Sequence, residues 1–164
     1  MTQEPEGQAT SQPAAMLPIQ VNAQYIKDLS FENPNAPQSL QPNQAPNIEV
    51  NVDVNAAGLA EDRFEVVLSI SAKASQENET VFLAELSYAG LFTLQGFSRE
   101  QLQAVLLIEC PRLLFPFARS IIADATRDGG FPPLLVQPVD FAEIYRRSLA
   151  TGAVSVEEEG SVPN

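Results

Sequence analysis

Ser71 and Lys73 stand two residues apart, a hydroxyl nucleophile beside a candidate base. The chain has no His, so only Lys27 or Lys73 could activate a serine. Residues i and i+2 of a strand share a face, but no other feature of a catalytic constellation accompanies this pair. Carboxylates that could work as acid and base occur at Glu61-Asp62 and at Glu77 and Glu79. Both sets fall in predicted turns, where solvation is the default reading. Cys110 precedes Pro111 amid apolar residues and reads as a buried structural thiol. No Gly-rich phosphate loop is present. These residues argue for a protein that binds and against an enzyme.

Composition narrows the class of partner. Nine Lys and Arg against 21 Asp and Glu give a net charge of −12, which repels phosphates and argues against nucleic acid. No apolar run approaches the roughly 20 residues of a membrane helix, so no direct membrane insertion is expected. A single Cys allows no internal disulfide and no zinc cluster, and neither metal nor cofactor is expected. The start, MTQEPEGQATSQP, is acidic and polar, unlike a secretory signal peptide. The expectation is a soluble, cytoplasmic protein. Its acidity is uneven: ten acids from Asp28 to Ser98 face two bases, whereas 99–147 hold six of each sign. One acidic face and a basic partner follow from that asymmetry, although acids also serve simple solubility.

Three regions are expected: a disordered arm over 1–16, a folded domain over 17–150 and an acidic flexible tail over 151–164. Ile19, Val21, Ala23 and Tyr25 alternate with polar residues and predict a first strand. Four prolines between Phe31 and Asn47 predict a long extended loop, a kind of segment that is usually functional. Ile48, Val50, Val52 and Val54 predict the second strand, and Phe64 to Ala74 the third. The fourth covers Thr80 to Gln95, with Phe82, Ala84, Leu86, Tyr88, Phe92 and Leu94 on one face and Leu83 and Glu85 on the other. Ser98 and Gln101 predict a capping box that opens a helix, with a break near Pro111 or Pro116 and an end at Gly129-Gly130. Asp140 opens a short last helix. Strands followed by helices make an α+β fold: a four-stranded antiparallel sheet packed with two main helices, the first kinked. Such a domain has more apolar surface than one subunit can cover, which points to self-association or to an apolar groove. A wider core is the competing account.

Five segments in order, YIKDLSFENPNAP (25–37), FLAEL (82–86) with GLF (90–92), ECPRLLFPFAR (109–119), GGFPPL (129–134) and PVDF (138–141), resemble SecB, the bacterial export chaperone family. The resemblance spans about 17–150. It implies a homotetramer, a dimer of dimers, that acts as an ATP-independent holdase. It further implies binding of unfolded secretory precursors and their transfer to the SecA ATPase. Carried over by motif, Asp28, Glu32, Leu83 and Glu85 would form the acidic SecA-docking face, and any zinc would belong to that partner. Phe31, Phe115 and Phe117 are candidates for the client groove, which the family builds from its crossover loop, here 31–47, and its main helix. Ala84 stands where the best-known members have Cys, the N-terminal arm is longer than usual, and the tail EEEGSVPN differs from theirs. Two rival readings are a SecB-like chaperone for another client, such as an antitoxin, and a small-ligand carrier.

Overall fold

A computed structural model describes residues 18–41 and 44–152, together with the backbone of Glu157 and Glu158. The expected arm 1–16 and most of the expected tail lie outside the described residues. The strands are β1 (Ile19–Glu32), β2 (Asn47–Ala60), β3 (Arg63–Gln76), β4 (Glu79–Leu94) and a two-residue β5 (Glu157–Glu158). Their order in the sheet is β1-β4-β3-β2-β5. The first four strands pair antiparallel. Tail strand β5 adds a short parallel rung at Ala57 and Gly58, beyond the four strands read from the sequence.

Period-2 alternation explains the sheet. On β3, Val66, Leu68, Ile70, Ala72 and Ala74 are buried, and on β4 so are Phe82, Ala84, Leu86, Tyr88, Phe92 and Leu94. Register aligns these rows, with Ile70 opposite Leu86 and Leu68 opposite Tyr88, so one face is a continuous apolar floor. The helices α1 (Arg99–Ala104), α2 (Cys110–Asp128) and α3 (Phe141–Thr151) form the second layer. Leu106, Leu114, Ala118 and Ile122 complete the core from that side.

Strand β1 runs seven residues past Tyr25, where the sequence reading ends it, and it takes in Phe31 and Glu32. The reason is a β-bulge: Ile26 pairs with Tyr88 and Asp28 with Ser87, which leaves Lys27 as an extra residue. An earlier bulge at Asn22, between the Val21–Phe92 and Ala23–Leu91 pairs, already divides the expected row: Ile19 and Val21 face the helices, Ala23 and Tyr25 face away. The phase changes again at Lys27, and a period-2 reading stops there. The loop after β1 is correspondingly shorter, and it holds a single 3-10 turn at Gln38–Leu40 and a cis Ala36–Pro37 bond.

The capping box forms as expected: the Gln101 N–H donates to Ser98 Oγ (3.3 Å) and the Ser98 N–H to Gln101 Oε1 (3.0 Å). The long helix is joined from pieces, with a π-helical turn at Val105–Glu109 between α1 and α2. Pro111 lies just past that turn and has no N–H for the carbonyl four residues back. A wider π turn accommodates such a defect. Pro116 sits inside α2 on its exposed side, and the helix continues through it to Asp128. The expected break near the prolines is thus the π turn, which ends two residues before Pro111, and Pro116 causes no second one.

Candidate functional site

The two faces of the sheet carry different chemistry. Register places Ser30 opposite Glu85, Glu32 opposite Leu83, and Asp28 opposite Ser87. Asp28, Glu32, Leu83 and Glu85 therefore share the face turned away from the helices. Glu49 and Asp53 join them on β2, aligned through Lys73 and Ser69 of β3. Glu65 completes the set, so six carboxylates share this face with three cations, Lys27, Arg63 and Lys73. Ser71 and Lys73 share it too.

Glu65 is held in place. Lys27 Nζ lies 2.7 Å from its Oε1, and the Tyr25 hydroxyl donates to its Oε2. The side chains meet diagonally across β4, with Tyr25 opposite the fully buried Ala89 and Glu65 opposite Leu91. The Lys27 bond foremost, and then the Tyr25 bond, hold the Glu65 carboxyl below its ordinary value of 4.5. Burial, the bond to Glu65 and its charge push the Tyr25 phenol up to about 12. On the other side of the sheet, burial first and then the neighbouring Glu109 charge push the Cys110 thiol up to about 12. That suits the structural role read from its surroundings.

Beside the helical layer lies a cavity of about 570 Å³. The loop after β1 supplies Leu40 and Pro46, β2 supplies Ile48, β4 supplies Val81 and Phe82, and residues 130–135 close one wall. Phe31, Phe82 and Phe131 cluster here, with ring centroids 5.8 Å (Phe31–Phe82), 5.0 Å (Phe82–Phe131) and 6.3 Å (Phe31–Phe131) apart. Leu40, Ile48 and Leu135 are 42%, 40% and 58% exposed, so the apolar lining is open to solvent. The cavity is wide enough for side chains of an extended peptide, and its few polar groups give little chemical selectivity.

The three candidate aromatics separate. Phe31 belongs to the cluster at the cavity. Phe115 packs edge-on against Phe141 of α3, 6.0 Å between centroids, and Phe117 stacks on Tyr88 at 6.3 Å. None of the three lines the cavity itself, and Phe31 touches it only through Phe82 and Phe131. The wall residues Phe131, Pro132, Pro133, Leu134 and Leu135 were not among the expected site residues, although four of them lie in the GGFPPL segment that carries part of the family resemblance. Phe117 is instead 52% exposed among apolar neighbours, with Leu113, Leu149 and the β1 residues Val21, Ile26 and Leu29 also 42–51% exposed.

An open apolar cavity on one side and a carboxylate-rich sheet face on the other define a polypeptide-binding protein of the chaperone class. The family model described as Preprotein translocase subunit SecB matches residues 11–152. Protein-export protein SecB of Maricaulis maris is 54% identical over 156 residues, covering 94% of this chain and 91% of its own. The protein of the same name from Rhodospirillum centenum is 57% identical over 138 residues, covering 83% and 82%. Among solved structures, a SecB-like chaperone of Mycobacterium tuberculosis in complex with an antitoxin peptide aligns at a TM-score of 0.63 and 19% identity, covering 74% of this chain and 90% of that one. The chain belongs to the SecB family of protein-export chaperones.

Proposed function

We propose that this chain is a cytoplasmic, ATP-independent holdase that keeps secretory precursors unfolded and passes them to the SecA motor. The observation that carries this reading is the open aromatic cavity beside the sheet. Unfolded chains expose apolar and aromatic side chains, and the cavity offers them a site without sequence readout. Strand β2 borders it, and among the described residues its edge is paired only at Ala57 and Gly58. An extended client can add main-chain hydrogen bonds along the rest of that edge. Binding the unfolded chain opposes its folding by mass action and needs no catalysis.

The acidic face is the proposed dock for a basic segment of SecA, with Asp28, Glu32 and Glu85 as charges and Leu83 as the apolar contact. Attraction of this kind raises the rate of encounter and falls with salt. The exposed apolar residues on β1 and around Phe117 support assembly into the homotetramer, a dimer of dimers, because such surface is seldom left bare. Four copies let one long precursor bind at several sites, which raises avidity.

Native mass spectrometry tests the reading. A species at four times 17.8 kDa that takes up one unfolded precursor, and ignores the same chain once folded, is the expected result. A monomer indifferent to unfolded protein would refute it, and the cavity would then be screened for a small ligand. An antitoxin as client rests on likeness of fold alone.

A further inference from the structure

The cavity wall Phe131-Pro132-Pro133-Leu134-Leu135 has no regular secondary structure. Its two prolines carry no N–H, so few backbone donors can hold it in place. Two of its donors reach the same residue of α2. The Phe131 N–H donates to the Thr126 carbonyl at 3.1 Å, and the Leu134 N–H donates to Thr126 Oγ1 at 2.9 Å. Thr126 is fully buried, and it is the buried polar side chain of the core among the described residues. Its hydroxyl proton is already engaged by the Ile122 and Ala123 carbonyls, both at 3.0 Å. The oxygen is thereby turned to accept from Leu134. Back-bonding to the preceding turn is ordinary for a helical Thr, but accepting from a loop amide eight residues on is not needed for it. Before the wall, Gly129 lies against the Phe31 ring and Gly130 against Leu40, so a wall that moved would disturb both sides of the cavity.

We propose that Thr126 is a positioning residue for the cavity, a latch that holds the proline wall at the spacing a client side chain needs. This rests on the cavity being the client site. The residue touches no client itself. It acts by keeping the Leu134 amide paired inside the protein, where an unpaired amide would draw the wall out toward water.

The test uses the full chain and a reduced, carboxymethylated secretory precursor that stays unfolded. Thr126→Val keeps the volume and removes the acceptor. The expected result is about tenfold weaker precursor binding, the scale of one lost buried hydrogen bond. Hydrogen exchange at the Leu134 amide should quicken, and SecA docking at the outer face should stay unchanged. Thr126→Ser should restore both binding and exchange, whereas a residue needed only for packing would not distinguish Ser from Val in this way. Thr126→Ala, a good helix former, replaces Val if that variant fails to fold, with the same expectation. Unchanged precursor binding in the Val or Ala variant overturns the latch. Leu135→Asp separates the two readings: unchanged binding there means the cavity is not the client site, and both readings fall.

Discussion

Glu85→Lys should separate docking from folding, and the register allows its size to be worked out. Glu85 is exposed and lies diagonally across the strands from Asp28, Glu32 and Lys73. Diagonal neighbours in a sheet are about 7–8 Å apart. At that distance each pair is worth about 0.5 kcal/mol in water and about 0.2 kcal/mol after screening at physiological salt. Charge reversal turns two repulsions into attractions and one attraction into a repulsion. The net gain is about 0.4 kcal/mol, so the thermal midpoint should rise by no more than about 2 °C. Docking behaves differently. A partner ammonium about 4 Å away contributes about 1 kcal/mol, and reversal swings this by about 2 kcal/mol, or roughly 30-fold in affinity at low salt. In about 0.5 M salt the swing should shrink to roughly threefold. Titration calorimetry with SecA at both salt concentrations, beside precursor binding and thermal unfolding, reads all three quantities. A loss that ignores salt, or an equal loss of precursor binding, would refute the assignment of Glu85 to a separate docking face.

Other perturbations test the supports of the two faces. A Cβ on Gly129 would lie 2.3 Å from the Phe31 ring, so Gly129→Ala must displace the ring and should cost about 1–3 kcal/mol of stability. Denaturant unfolding measures it, and an unchanged midpoint would mean that Phe31 has room to move. Glu65 has a lowered carboxyl value in the folded chain, so its contribution is present above the ordinary 4.5 and is lost as pH falls through the folded value. Glu65→Gln should be less stable than the unsubstituted chain at neutral pH, with the gap closing below about pH 4.5. Chemical unfolding across that range checks the sign, and a gap that widens on acidification would contradict it.

Much of the fold was legible because β3 from Val66 to Ala74 and β4 from Phe82 to Leu94 alternate in one register and because Ser98, Gln101 and Asp140 occupy capping positions that local chemistry prefers. Glu85 and Leu83 could be put on the face opposite Phe82 from alternation alone. Asp28 and Glu32 could not, since the bulge at Lys27 changes the phase of β1, and only motif resemblance joined them to Glu85. The cavity was illegible for another reason. Leu40, Ile48, Val81 and Leu135 come from separate stretches of chain, and no local period brings them together. The π turn was hidden because a missing N–H at Pro111 says that a helical bond is lost, not where the helix will absorb the loss.

The bulge also makes the division of labour testable, since the faces of a strand exchange when its register slips by one residue. Lys27 is one of two residues of β1 that β4 does not match, the other being Asn22 near the start of the strand. Deleting Lys27 should leave a ladder that is regular from Ala23 onward, in which Ile26 still points toward the helices and Asp28 and Glu32 still point out. The loss is then the Lys27–Glu65 pair, and SecA docking and precursor binding should both survive. Deleting Ser30 instead removes a matched residue. Either the ladder upstream slips, which turns Asp28 inward, or the end of the strand slips, which turns Glu32 toward Phe82 and Phe131 and puts Phe31 on the outer face. A carboxylate forced into that aromatic cluster would be buried without a partner, so the second outcome should abolish precursor binding and lower stability by several kcal/mol. Both deletions shorten the same strand by one residue, and only their places in the register differ. Equal damage from the two would mean that strand length, and not the facing of its side chains, governs what this edge of the sheet does.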